Sequence, residues 1–274
     1  MNQSMSSGLL LGGKVAVVTG STQGVGAGIA RKFGEQGARV LVHGLESQKA
    51  GGEKVVAAIQ ASGSQAELIV GDLKDEAHCR AVIQRAIECF GRIDILVNNA
   101  AVSHRGSIEN TSVALWDEIF AVNVRAHFIL CQEAVKHMKA ERRGCIINIG
   151  SSTAYIGLRN LLPYSASKGA LMTFSKNLAH YLTQYRIRVN LINLGWVLTE
   201  GEHYIQSVVE GQGEKWLDEA VKTRPFGRML LPEDIANAAL FFATSELITG
   251  SVLDYEQFPF GAPGDNWPGT ATRP

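Results

Sequence analysis

Seven short apolar runs, at 14–19, 39–43, 67–70, 93–97, 145–149, 188–192 and 251–254, alternate with longer stretches of helical period along nearly the whole chain. The runs are continuous rather than alternating, the pattern of strands covered on both faces. In 75–90, Cys79, Ile83 and Ile87 recur every four residues, as do Val82, Ala86 and Phe90. They form one stripe, with Asp75 at the end where a helix dipole favours negative charge. The stretches 49–61, 113–139, 161–185 and 232–244 read as helices too, and Pro232 suits a first helical turn. Such alternation specifies an α/β fold: a doubly wound parallel sheet with helices on both faces. With no repeat and no linker, residues 1–274 are expected to form a single domain.

Composition narrows the function. The 274 residues carry 26 basic and 26 acidic side chains, so the formal net charge is zero. Nucleic acids and anionic membranes recruit proteins with a positive surplus, so neither is an expected partner. The four cysteines, Cys79, Cys89, Cys131 and Cys145, form no C-x-x-C pair and have no histidine at metal spacing, so no metal site is expected. Leu9–Leu11 is too short for a signal peptide, and no apolar run approaches the ~18 residues of a membrane span. The expectation is a reducing, cytoplasmic setting. Glycine is abundant (29) and proline scarce (7), yet four of the prolines fall in the last 16 residues. The tail 255–274 is therefore expected to be neither regular helix nor strand.

The first apolar run enters Thr19-Gly20-Ser21-Thr22-Gln23-Gly24-Val25-Gly26, and a helical pattern follows. Glycines in a strand–turn–helix let a pyrophosphate approach the backbone, where the helix N-terminus offers free N–H groups. The spacing is T-G-x-x-x-G-x-G rather than G-x-G-x-x-G. Asp72 and Leu73 follow the third run; the carboxylate suits an adenine amino group or a helix cap. Asn98-Asn99-Ala100-Ala101 follow the fourth, at the sheet edge where open α/β folds bind ligands, or as an Asx turn.

Tyr164 and Lys168 lie four residues apart on one helix face. An ammonium near a phenol favours the phenolate, which makes the tyrosine a proton donor and acceptor near neutrality. Ser151, 13 residues upstream of Tyr164, offers a hydroxyl for a substrate oxygen; Ser152 competes with it on composition alone.

Together TGSTQGVG, NNAA, Asn123 in AVNV, Ser151, YSASK and NLGWVLT resemble the short-chain dehydrogenase/reductase family over almost the whole chain. The resemblance implies one Rossmann-type domain with a seven-stranded parallel sheet, and hydride transfer between a nicotinamide and a carbonyl or alcohol. It makes Tyr164 the acid/base and selects Ser151 over Ser152 to hold the substrate oxygen. Lys168 would lower the tyrosine pKa and bind the nicotinamide ribose, and Asn123 would hold a water linking Lys168 to solvent. The cofactor would meet Gly20, Thr22, Gln23, Gly24, Val25, Gly26, Gly44, Leu45, Asp72, Leu73, Asn99 and Ala100. It would also meet Tyr164 and Lys168, with Gly195 shaping the nicotinamide loop and Val197 and Thr199 at the carboxamide. The resemblance further implies a homo-oligomer, a tetramer or dimer, built on the stretches 113–139 and 161–185.

The chain departs from the family in two places. Leu194 stands where the family has proline, with Gly195 expected to keep a special backbone position. Asp254-Tyr255-Glu256-Gln257 replaces the usual acidic-Gly-Gly, so the tail takes its own path. Gly44-Leu45 carries neither the Asp common in NAD users nor an Arg common in NADP users. Its similarity to 3-hydroxybutyrate dehydrogenases leans to NAD, with NADP the alternative. Residues 200–224 read as a lid. His104, Thr153, Arg159 and Trp196 are substrate candidates in a polar wall, which suits a sugar, polyol or hydroxy acid. Competing functions are a 3-oxoacyl reductase of fatty-acid type and a catalytically silent NAD(P)-binding regulator.

Overall fold

The computed structural model describes residues 8–259. Seven parallel strands form one sheet in the order β3-β2-β1-β4-β5-β6-β7. They are β1 (Val15–Val18), β2 (Arg39–Gly44), β3 (Ala66–Val70), β4 (Ile95–Asn98), β5 (Gly144–Ser151), β6 (Ile187–Leu194) and β7 (Val252–Tyr255). All seven apolar runs are strands. β5 and β6 extend past their runs because Gly150 and Ser151 pair in register with Asn193 and Leu194, a polar continuation that hydropathy does not mark.

Helices cover both faces. On one side α1 (Gly24–Glu35), α2 (Lys49–Ala61) and α9 (Pro232–Thr244) bury Ile29, Phe33, Ile59 and Phe242 against Ala16, Val18, Val40 and Val42. On the other, α3 (Glu76–Phe90), α5 (His127–Glu141) and α6 (Leu162–Leu182) pack Ile83, Leu130 and Leu182 on Val15, Val17 and Leu41. Period-two alternation along β1 thus feeds two separate cores. The Asp75 carboxylate caps α3 by accepting from Ala77 N at 2.9 Å. Among the described residues, no helix is long and apolar enough to cross a membrane.

The stretch 113–139 is not one helix. α4 (Val113–Phe120) runs into a π-helical turn, Ala121–Ala126, before α5 begins. Its extra residue per turn is invisible to a 3.6-residue pattern. The stretch 200–224 holds α7 (Glu200–Tyr204), a second π-helical turn (Ile205–Val209) and α8 (Trp216–Lys222). The strand order reverses at β1, so the C-terminal ends of β1 and β4 open the crevice where this architecture binds ligands. Of the tail, 255–259 continues β7 into a bend; residues 260–274 lie outside the described residues.

Candidate active site

The loop from β1 into α1 is shaped by close approach. A Cβ on Gly26 would overlap the Gly20 carbonyl and the Asn99 amide, and Gly20 and Gly24 have φ of +60° and +55°. The first turn of α1 has no acidic side chain, which leaves its N–H groups to an anion. Thr19 Oγ1 accepts from the backbone N–H of Asn99 (3.0 Å) and Ala100 (3.1 Å). Asn99 Nδ2 donates to the carbonyls of Thr19 and Gly20, each at 2.9 Å. The NNAA stretch therefore buttresses the glycine turn. Asn98 faces the core instead, and its amide donates to Asn148 Oδ1 at 2.8 Å.

This turn forms one wall of a cleft of about 500 Å³. Gly20, Gln23, Gly24, Val25 and Gly26 line it from the turn, and Gly44, Leu45, Asp72 and Leu73 from the ends of β2 and β3. Asn99, Ala100, Tyr164 and Thr199 complete the predicted set within it. Four predicted cofactor residues stand outside, among them Gly195, which lines a different cavity. Thr22 is buried and donates to Gln48 Oε1 at 3.1 Å. Val197 is buried in the core, and Lys168 lies behind the wall. Asp72 is half spent on an Asx turn, with Oδ1 accepting from Lys74 N at 2.8 Å. His43 and Gln48 line the cleft beside Gly44 and Leu45. Burial, aided by the neighbouring His78, brings the His43 imidazole down to about 4, so it is neutral.

A second cavity, about 370 Å³, shares Ser103, Tyr164 and Glu202 with the first. Ser151, Thr153, Gly195 and Trp196 line it, together with Arg105, Gln206, Arg224 and Glu256. Ser151 Oγ accepts from Thr153 N (3.2 Å) and Thr153 Oγ1 (2.9 Å). Its own O–H is thereby left to point at Tyr164. Lys168 Nζ lies 5.5 Å from the Tyr164 ring centre and donates to the Ile149 carbonyl at 2.8 Å. Asn123, in the π-helical turn, commits its side chain: Nδ2 donates to Val102 O (2.9 Å) and Ser167 Oγ (3.0 Å), and Oδ1 accepts from Val102 N (2.8 Å). Ser167 passes the bond on to the Tyr164 carbonyl at 2.6 Å.

The electrostatics run against one expectation. Desolvation raises the Tyr164 phenol to about 12; the Ser151 hydrogen bond opposes this, Glu202 adds to it and Arg105 opposes it. Lys168, itself brought down to about 8 by burial, is not among the groups that shift the phenol.

A family model for the short chain dehydrogenases matches residues 14–209. The chain belongs to the short-chain dehydrogenase/reductase family. It is a nicotinamide-dependent oxidoreductase acting on CH–OH groups. An uncharacterized oxidoreductase of Methylorubrum extorquens is 38% identical over 246 residues, covering 89% of this chain and 96% of the relative. A 3-oxoacyl-(acyl-carrier-protein) reductase of Chlamydia pneumoniae is 30% identical over 247 residues, covering 89% and 96%. A crystal structure of a short chain dehydrogenase from Burkholderia cenocepacia in complex with NADP superposes with a TM-score of 0.81 at 30% identity, covering 90% of this chain and 98% of that one.

Two of the expected substrate residues of this dehydrogenase lie outside both cavities. His104 is exposed, with Nδ1 4.0 Å from Glu118 Oε2, and Arg159 is exposed; neither lines either cavity. Gly195 has an ordinary φ, and a Cβ there would meet only the tip of the Glu256 carboxylate. Sequence reasoning did not reach Arg105 or Glu256, and it covered Gln206 and Arg224 only as part of the stretch 200–224. The signal for Glu256 was present: it lies in the stretch that departs from the family.

Proposed function

We propose that this dehydrogenase interconverts a small polar secondary alcohol and its ketone with Tyr164 as general acid/base. The carrying observation is that Tyr164 lines both cavities, one walled by a phosphate-binding turn and the other by polar side chains. The donor set fits a dinucleotide: an uncrowded helix N-terminus, a glycine cradle and a Gly44-Leu45 step without a charged side chain. When bound, the nicotinamide supplies or takes the hydride, and its oxidised ring adds a positive charge beside the phenol. Tyr164 Oη holds the proton that leaves or joins the substrate oxygen. Ser151, whose oxygen already accepts twice, donates to that oxygen, and Thr153 fixes its orientation. Lys168 favours the phenolate once the cofactor is in place. With the Asn123 side chain committed, its backbone in the π-helical turn is left to hold the water that links Lys168 to solvent.

NAD is favoured over NADP. Among the described residues lining the cleft, Lys74 is the one Lys or Arg, and it is engaged by Asp72 and Glu118; a 2′-phosphate gains most from a charged partner. The 3-oxoacyl reductase reading fits less well, because charged groups in a 370 Å³ cavity do not suit an acyl chain. The four free cysteines agree with a cytoplasmic setting. The apolar groove of Phe128, Phe174 and Tyr181 between α5 and α6 agrees with a homo-oligomer, tetramer or dimer.

The test is Tyr164→Phe, assayed with sugars, polyols and hydroxy acids at 340 nm, the usual reduced-nicotinamide wavelength, with either cofactor. Turnover should fall by about 10²–10⁴-fold while cofactor binding persists, with the larger kcat/KM for NAD. Turnover surviving in the variant removes the assigned role; binding without turnover in the parent favours the silent regulator.

A further inference from the structure

The smaller cavity holds four charged side chains, Arg105, Arg224, Glu202 and Glu256. Three have strong partners. Arg105 Nε donates to Glu210 Oε1 at 2.9 Å. Glu202 Oε1 accepts from Trp196 Nε1 and Gln206 Nε2, each at 2.7 Å. Glu256 Oε1 accepts from Gln257 N at 2.6 Å.

Arg224 differs from them. It is 6% exposed, yet among the described residues no carboxylate comes within the 4.0 Å of an ion pair. Its guanidinium carbon lies 5.4 Å from the Trp196 ring centre and 5.0 Å from that of Phe258. Nε and Nη2 both donate to Thr223 Oγ1, at 3.1 and 3.0 Å, and Nη1 donates to no described residue. Glu256 acts on this group only through space, and a buried guanidinium without a contact ion pair is costly and is kept where something pairs with it. The aromatic contacts fix its plane, so its open edge is set for a planar, two-oxygen acceptor.

We propose that the substrate carries a carboxylate and that Arg224 anchors it: the reaction is oxidation of a short hydroxy acid to its oxo acid, or the reverse. This rests on the oxidoreductase reading of the same site. In the oxidising direction the carbinol C–H bond breaks with its electron pair passing to the oxidised nicotinamide as hydride. The O–H proton passes to Tyr164, and the C=O bond forms. The carboxylate is untouched, so Arg224 binds substrate and product alike and acts mainly on KM.

Two measurements test this. First, 3-hydroxybutyrate, glycerate and gluconate are compared with their primary amides, using the parent enzyme and both cofactors. The best acid should exceed its amide in kcat/KM by roughly 100-fold, the scale of losing one partner of a buried charged pair. Arg224→Gln should erase that gap through KM, and Arg224→Lys should restore part of it. Second, binding of malonate, which cannot be oxidised, is measured calorimetrically on the enzyme saturated with NADH. It should bind the parent and Tyr164→Phe equally, and Arg224→Gln at least about 10-fold more weakly.

Amides matching acids, preference for a phosphate ester, or an unchanged malonate affinity in Arg224→Gln would overturn the proposal. So would absence of malonate binding in the parent. Turnover of neutral alcohols alone overturns this inference and leaves the oxidoreductase reading standing. Malonate binding without turnover of any alcohol supports the anchor and removes that reading.

Discussion

At the residue scale the site is an opposition between burial and charge. Lys168 drops from its ordinary 10.5 to about 8 because it is buried, and Tyr164 rises to about 12 for the same reason. Between pH 8 and 10.5 the unfolded chain holds the lysine proton and the folded chain does not. Unfolding therefore takes up a proton there, and stability rises with pH through that window. Below pH 8 the group is charged in both states, and the burial penalty applies in full. Lys168→Met should lower turnover by at least about 100-fold. At pH 7 it should raise the melting temperature by a few degrees, even after losing about 1 kcal/mol with the Ile149 hydrogen bond. The gain should shrink toward pH 10. Thermal melts across that range check it, and a lower melting temperature at pH 7 contradicts the argument. The pairing of Tyr164 and Lys168 was legible because four residues on a helix have a fixed geometry. The direction of the tyrosine shift was not, because desolvation depends on what the rest of the chain stacks around the phenol.

At the element scale, what could be read followed from local periodicity. β1 to β7 announced themselves as apolar runs, and α2 and α9 match the helical pattern residue for residue. The π-helical turn at Ala121–Ala126 did not, because one extra residue in a turn leaves the surrounding hydrophobic pattern nearly intact. The two functional glycines separate at this scale too. A Cβ on Gly26 meets backbone, the Gly20 carbonyl, whereas a Cβ on Gly195 meets only the tip of Glu256. A carbonyl fixed in a turn cannot move aside, but a carboxylate can rotate. Gly26→Ala should therefore destabilise by about 1–3 kcal/mol and weaken cofactor binding. Gly195→Ala should leave stability and cofactor affinity nearly unchanged and alter only the substrate KM, by displacing Glu256. Thermal melts and cofactor titrations of both variants separate the cases. Equal loss of cofactor affinity in the two would show that the loop after β6 is rigid at Glu256.

At the scale of the whole molecule, both cavities are bounded by a segment standing on its own small core. Trp216, Ala220 and Met229 pack with Trp196, apart from the two cores that sandwich the sheet. Glu202 faces both cavities, so displacing α7 opens them together. Beyond α7 the segment is tied to the opposite rim by Arg105–Glu210 at 2.9 Å, with Asn160 Nδ2 3.5 Å from the same carboxylate oxygen. We propose that 200–224 is a lid and that this tie is its latch. A partly exposed ion pair contributes at most about 1 kcal/mol, which suits an element that must open on every turnover. Glu210→Ala should then raise cleavage within 205–215 under limited proteolysis by roughly fivefold, and raise the substrate KM. High salt should do the same to the parent and little to the variant, because screening removes an interaction that the variant already lacks. Saturating cofactor and substrate should protect both proteins, since Glu202 and Ile205 bound the cofactor cleft from the lid side. Equal cleavage of parent and variant at low salt would mean that the Trp216 cluster, and not the ion pair, holds the segment down.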